Sequence, residues 1–247
     1  MTPRGGMRKI LVTDYAWADL EEERRILAEA GAELVVAARG DEAELCALAP
    51  PVEGILTCWK QVSARVLDSA PGCLSVHRYG IGLDNIDVAR ATALGMVVTN
   101  VPAYCLEEVS DHAMGLMLAL SRKIAFYDRQ AKSGVYDLAA GAPLYRLSGK
   151  TLGLFGAGKI GRTLARKAAA FGMKIIAHDV VPVASPGIEP VSFDDLLARS
   201  DFISIHAPLT PDTRRLFWTE IFRKMKPGAF LINTARGEIV DTGALSA

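Results

Sequence analysis

The apolar residues 152–155 run straight into Gly156, Gly158 and Gly161 and then into a stretch of helical character, so that LGLFGAGKIG spells strand, tight turn and helix in succession. Each glycine meets a separate physical demand. Gly156 permits the tight turn, Gly158 lets the main chain approach a pyrophosphate, and Gly161 lets the helix pack against the strand. The helix expected over residues 159–171 then turns its free N–H groups and positive dipole end toward the phosphates, with the backbone of Lys159 and Ile160 over them. A bare G-x-G-x-x-G is weak evidence, and its context matters more. Residues 151–155 read as a buried strand, and a second strand over 174–178 ends at Asp179, near the acidic position that a dinucleotide unit requires. Asp179 there accepts hydrogen bonds from both ribose hydroxyls of NAD and repels a 2'-phosphate, which favours NAD over NADP. The competing reading is a solvated aspartate at a strand end.

The same alternation runs through the rest of the chain. Strands are expected over 9–13, 33–37, 54–57, 74–78 and 96–100, then over 151–155, 174–178, 202–206 and 229–233, with helical patterns between them, as in a parallel α/β sheet. One long helix is expected over about 105–133, its acidic Glu107, Glu108 and Asp111 suiting a helix start. A polar loop over 134–149 separates it from the second α/β run.

At 247 residues, half of them hydrophobic, the chain is long enough for two domains. Its 28 acidic and 28 basic residues leave no net field, so neither nucleic acid nor an anionic membrane is implied as a partner. Cys46, Cys58, Cys73 and Cys105 lack metal-ligand or redox spacing; they read as reduced thiols of a cytoplasmic protein, with no metal. The basic N-terminal stretch is followed by too short an apolar run for a signal peptide.

Four motifs in order carry a resemblance: RYGIGLDNID (78–87), LGLFGAGKIGR (152–162), HAPLTPDT (206–213) and NTARGEIVD (233–241). The chain resembles the D-isomer-specific 2-hydroxyacid dehydrogenases, and VPAYCLEEVSDHA (101–113) is most similar to the branch of the C-terminal-binding proteins, with phosphoglycerate dehydrogenase a near relative. The resemblance implies two Rossmann-like, doubly wound parallel-sheet α/β domains with a cleft between them: a substrate-binding domain over 1–102 and an NAD-binding domain over 103–247, the second incomplete. It also implies a homodimer through the cofactor domain.

Reducing a 2-oxo acid needs a cation for the carboxylate and carbonyl, a proton donor, and a nicotinamide placed for hydride delivery. Arg236, directly after a strand, is the candidate cation, its bidentate fork matching a carboxylate. By the resemblance, the N–H groups around Gly80, Ile81 and Gly82 bind the substrate carboxylate; a plain glycine turn is the alternative. Arg78, Trp59 and Lys60 are further substrate-contact candidates, although Trp59 also suits a core or interface aromatic. Ala207, Pro208 and Thr213 are expected along the adenosine side, where Pro208 also fits simple loop geometry, and Thr234 and Ala235 near the nicotinamide.

In the family the catalytic acid is a histidine in a Pro-His pair, oriented by a glutamate, and both follow the Asn-Thr-Ala-Arg-Gly motif. Neither lies within these 247 residues, and His77, His112, His178 and His206 align with other parts of the pattern. The expectation is therefore a fragment of a dehydrogenase. Strand 229–233 should show an unpaired edge, and 241–247 should open a helix capped by Thr242. The alternative function is an NAD(H)-responsive binding protein, similar to the C-terminal-binding corepressors, without turnover.

Overall fold

The computed structural model describes residues 7–246. The basic N-terminal stretch and Ala247 lie outside the described residues, apart from Met7 onward. Two compact units meet in the sequence between Tyr104 and Cys105, two residues beyond the expected boundary.

The first unit contains β1 (Arg8–Val12), α1 (Glu21–Glu29), β2 (Ala32–Val36), α2 (Glu42–Leu48), β3 (Gly54–Thr57), α3 (Ala64–Asp68), β4 (Ser75–Arg78), α4 (Val88–Ala93) and β5 (Val97–Thr99). Its strands form one parallel sheet in the order β2-β1-β3-β4-β5. The central strands carry continuous apolar side chains because helices cover the sheet, and Leu11, Ile55 and Val76 are buried with Leu45, Val66 and Leu67 of the helices. Each such side chain removed from water contributes about 1.5–3 kcal/mol. Aspartates start two of the helices: Asp41 accepts the Glu44 N–H at the head of α2, and Asp87 accepts the Arg90 N–H at the head of α4. Strand order reverses between β1 and β3, so the loops leaving their C-terminal ends are where a ligand belongs in such a sheet.

The second unit begins with α5 (Leu106–Ser121) and α6 (Ile124–Lys132), followed by β6 (Thr151–Phe155), α7 (Lys159–Ala170), β7 (Lys174–His178), β8 (Glu189–Pro190), α8 (Phe193–Arg199), β9 (Phe202–Ile205), α9 (Thr219–Lys224), β10 (Phe230–Asn233) and α10 (Thr242–Ser246). The parallel order is β10-β9-β6-β7-β8. It is the doubly wound arrangement, with its switch point between β6 and β9. Apolar clusters fill both faces of the sheet: Leu152, Leu154, Leu164 and Phe202 on one, Phe155, Ile176, Leu196 and Ile203 on the other. Strand β10 stands at one end of the order, paired with β9 alone among the described residues.

Two expectations are corrected. The single helix over 105–133 is two helices, because Lys123 takes a left-handed φ of 56° and the Ser121 carbonyl accepts the Tyr145 N–H at 3.0 Å instead of continuing the helical ladder. The final helix is capped by Asp241, not Thr242: Asp241 Oδ1 accepts the Ala244 N–H at 3.0 Å.

Candidate active site and dinucleotide site

In the second unit the glycine turn sits at the switch point. Gly156 has φ +100°, and a Cβ on it would lie 2.8 Å from Ala207 N and His206 C, so the β9 loop abuts the turn so closely that only glycine fits. A Cβ at Gly161 would collide with the Gly156 carbonyl oxygen. Gly158 is different. None of the described residues stands within 4 Å of its would-be Cβ, leaving open space above the turn where α7 begins. Among the described residues no side chain caps α7, so its first N–H groups face that space without intrahelical acceptors.

Asp179, at the end of β7, reaches into the same turn: Oδ2 accepts the Ala157 N–H at 2.7 Å and Oδ1 accepts the Val181 N–H at 3.0 Å. These two bonds fix the carboxylate plane while each oxygen keeps a lone pair for a further donor. Beside it lies a pocket of about 240 Å³ whose lining includes Ala157, Gly158, Asp179, Val181 and Arg162. Arg162 was not singled out from the sequence, although it directly follows Gly161. Thr213 turns its hydroxyl into its own loop, donating to Pro208 O at 2.7 Å and accepting the Thr210 N–H at 2.8 Å. Pro208 is exposed and Ala207 half-buried. At the end of β10, Asn233 Oδ1 accepts the Ala235 N–H and Asn233 Nδ2 donates to Arg236 O at 2.8 Å, so Asn233 shapes the turn that carries Thr234, Ala235 and half-buried Arg236. Among the described residues the buried Thr234 hydroxyl has no hydrogen-bond partner, a polar atom that a ligand amide would satisfy. The open space at Gly158, the uncapped helix start and this orphaned hydroxyl all fit a dinucleotide.

In the first unit the Gly80–Ile81–Gly82 loop leaves β4 with every carbonyl held. Gly80 O accepts the Val101 N–H at 3.0 Å, Ile81 O accepts Asn100 Nδ2 at 2.7 Å, and Gly82 O accepts Arg78 Nη1 at 2.9 Å. None of the three N–H groups has an acceptor among the described residues. Arg78 is 8% exposed and supports the loop from beneath, its Nη1 also donating to Asn85 Oδ1 at 2.6 Å. Trp59 is 64% exposed, which excludes the core reading, and Lys60 is exposed beside it. Asp14 and Asn85, which the sequence did not bring forward, bind this region together.

The histidines have other occupations. Burial pushes His206 down to about 4, and its Nε2 lies 2.9 Å from Ser204 Oγ. Burial also lowers His77, whose ring nitrogens meet Thr99 and Ser75. His178 stacks on Phe155, and His112 is exposed on α5. Among the described residues no three His, Cys, Asp or Glu side chains gather as a metal site, and no helix is long and apolar enough to cross a membrane.

The sequence profile of the "D-isomer specific 2-hydroxyacid dehydrogenase, NAD binding domain" matches residues 114–247. The chain belongs to this family. D-3-phosphoglycerate dehydrogenase of Mycobacterium leprae is 41% identical over 239 residues, covering 90% of this chain and 45% of that protein. Hydroxypyruvate reductase of Thermotoga maritima is 42% identical over 204 residues, covering 82% and 66% respectively. The crystal structure of D-lactate dehydrogenase from Aquifex aeolicus, complexed with NAD and lactic acid, superposes with a TM-score of 0.89 at 29% identity, over 96% of this chain and 72% of that one. The chain thus spans about half the length of the mycobacterial relative. As a member of this family it carries the NAD-binding domain over residues 114–247, and NAD is its cofactor.

Proposed function

We propose that this chain forms part of an NAD-dependent oxidoreductase that moves a hydride between the nicotinamide and a D-2-hydroxy acid/2-oxo acid pair. The observation that carries the reading is the Gly80–Gly82 loop: its carbonyls are tied back and its N–H groups have no acceptor among the described residues, the arrangement a carboxylate needs. NAD, when bound, supplies the hydride acceptor or donor. The chain's own residues do the rest. Gly156, Gly158, Gly161 and the first N–H groups of α7, at Lys159 and Ile160, hold the pyrophosphate, and Asp179 holds the ribose. Ala207 and Pro208 border the adenosine, with Thr213 bracing their loop, while Thr234 and Ala235 meet the nicotinamide end. Arg236 holds the substrate carboxylate and polarises its carbonyl. Trp59 and Lys60 face the rest of the substrate, and Arg78 fixes the anchoring loop.

None of His77, His178 and His206 is assigned as the proton donor: burial lowers His206 to about 4, and ring nitrogens of the other two are engaged in their own sheets. We assign residues 1–102 to substrate and 103–247 to NAD. We also assign a homodimer through the second unit, supported by exposed Val135, Tyr136 and Leu138, and a cytoplasmic setting, supported by four free cysteines. The test is NADH consumption by the full-length protein against a panel of small 2-oxo acids. Turnover of at least one supports the reading; saturable NADH binding with no turnover of any favours the binding-protein alternative.

A further inference from the structure

Asp14 lies two residues beyond Val12, the end of β1, and its carboxylate faces the loop that leaves β3. Three successive backbone N–H groups converge on it: Cys58 N at 3.0 Å and Lys60 N at 3.2 Å on Oδ1, Trp59 N at 2.8 Å on Oδ2. Consecutive amides that curl toward one point form a concave anion site, and here the chain's own carboxylate fills it. The far side of Lys60 is held as firmly. Its carbonyl accepts Thr57 Oγ1 at 3.0 Å and Asn85 Nδ2 at 2.9 Å, both from buried side chains.

Asn85 in turn accepts Arg78 Nη1, the same nitrogen that holds Gly82 O. A continuous polar path therefore runs from Asp14 through the Lys60 peptide and Asn85 to the carboxylate-anchoring loop. The Lys60 stem lies across Gly40, where a Cβ would come 2.9 Å from Lys60 Cγ and also strike the Thr13 carbonyl. A fixed backbone thus bears two exposed side chains, one a broad aromatic and one a cation, at the switch point of the first sheet.

We propose that Asp14 is a positioning residue: it clamps the Cys58–Trp59–Lys60 backbone so that Trp59 and Lys60 are presented to the substrate in register with the Gly80–Gly82 anchor. This rests on the proposed function, in that Trp59 and Lys60 meet substrate. Asp14 touches no reacting atom and acts through the loop.

The test uses the full-length protein and the best 2-oxo acid from the panel. Asp14→Ala is expected to raise KM for the oxo acid about tenfold, with kcat and the KM for NADH each changed less than about twofold. Asp14→Asn, which keeps one acceptor oxygen, restores part of the loss. Added to a Trp59→Ala/Lys60→Ala double variant, Asp14→Ala changes KM less than about twofold, because its route of action is already gone. Hydrogen exchange at the amides of residues 58–60 should quicken at least tenfold in Asp14→Ala while the β1 and β3 amides stay protected.

Unchanged KM, or a KM effect that persists in full in the double-variant background, overturns the proposal; so do amides 58–60 that stay as protected as in the parent. A parent protein that turns over no oxo acid overturns the proposed function and the substrate role of Asp14 with it, while the exchange result still decides whether the clamp exists.

Discussion

Asp179 Oδ2 accepts the Ala157 N–H at 2.7 Å, so the acid at the end of β7 is bonded into the glycine turn that follows β6. The residue proposed as a ribose ligand therefore also holds the glycine turn in place. Asp179→Ala is expected to weaken NADH about tenfold, or 1.4 kcal/mol. NADPH should lose less than NADH, because removal of a negative charge facing its 2'-phosphate offsets the loosened turn. Calorimetric titration with each dinucleotide checks this, and an equal loss for both would remove Asp179 from the selection between them.

Gly156 and Gly158 separate folding from binding. Gly156→Ala forces a Cβ against the His206–Ala207 backbone at φ +100°, a strain of about 1–3 kcal/mol that should lower Tm by about 2–12 °C. Gly158→Ala meets no atom within 4 Å and has an ordinary φ of −68°, so its stability should stay within about 0.5 kcal/mol. NADH affinity should nevertheless fall at least about tenfold, because the methyl group occupies the space a pyrophosphate needs. Undiminished affinity in Gly158→Ala would mean that the phosphates lie elsewhere.

In the full-length protein, Arg236→Ala should cut kcat/KM for the oxo acid about a thousandfold, or 4 kcal/mol. Arg236→Lys should recover little of it, since an ammonium lacks the planar fork. Steady-state kinetics on both variants, with NADH affinity measured alongside, decide the matter. Loss of NADH binding to the same degree would turn Arg236 into a cofactor residue.

Acid sensitivity follows from Asp14. Burial pushes its carboxyl up, yet the Thr13 hydroxyl and the Trp59, Cys58 and Lys60 N–H groups outweigh burial and hold it below its ordinary value of 3.8. A depressed carboxylate stabilises the fold above the unfolded value, and the contribution disappears as pH falls through the folded value. The Tm difference between the parent and Asp14→Ala should therefore be constant near neutrality and close below pH 3.8. A difference that ignores pH, or grows in acid, would show that the carboxylate's charge has no part in the clamp.

Elements that announce themselves locally were legible in the sequence. The five residues Thr151–Phe155 form the expected strand because an apolar run bounded by Lys150 and Gly156 has few other solutions. The glycines were readable for the same reason: their backbone demands depend on near neighbours. What stayed hidden depends on distant ones. Asp14 meets amides 44 to 46 residues away, and nothing in the letters Thr-Asp announces that nest. The burial of Arg78 was equally hidden, because it depends on Asn85 and the Gly82 carbonyl folding onto its guanidinium. The break at Lys123 depends on Tyr145, more than twenty residues on, taking the Ser121 carbonyl.

The Gly80–Gly82 loop has a consequence for how this protein tolerates change. An anchor made of peptide N–H groups belongs to no side chain, so exchanging the side chain at Ile81 leaves its donor in place, whereas a Cβ at Gly80 would press on Arg78 Nε at 3.3 Å and proline would delete a donor outright. As the proposed carboxylate anchor the loop would discriminate coarsely, since peptide N–H groups read a carboxylate and nothing beyond it. Selectivity among oxo acids then falls to side chains that can be exchanged one at a time without disturbing the grip, and Trp59 and Lys60, exposed on a braced backbone, are where an altered substrate range would be sought first.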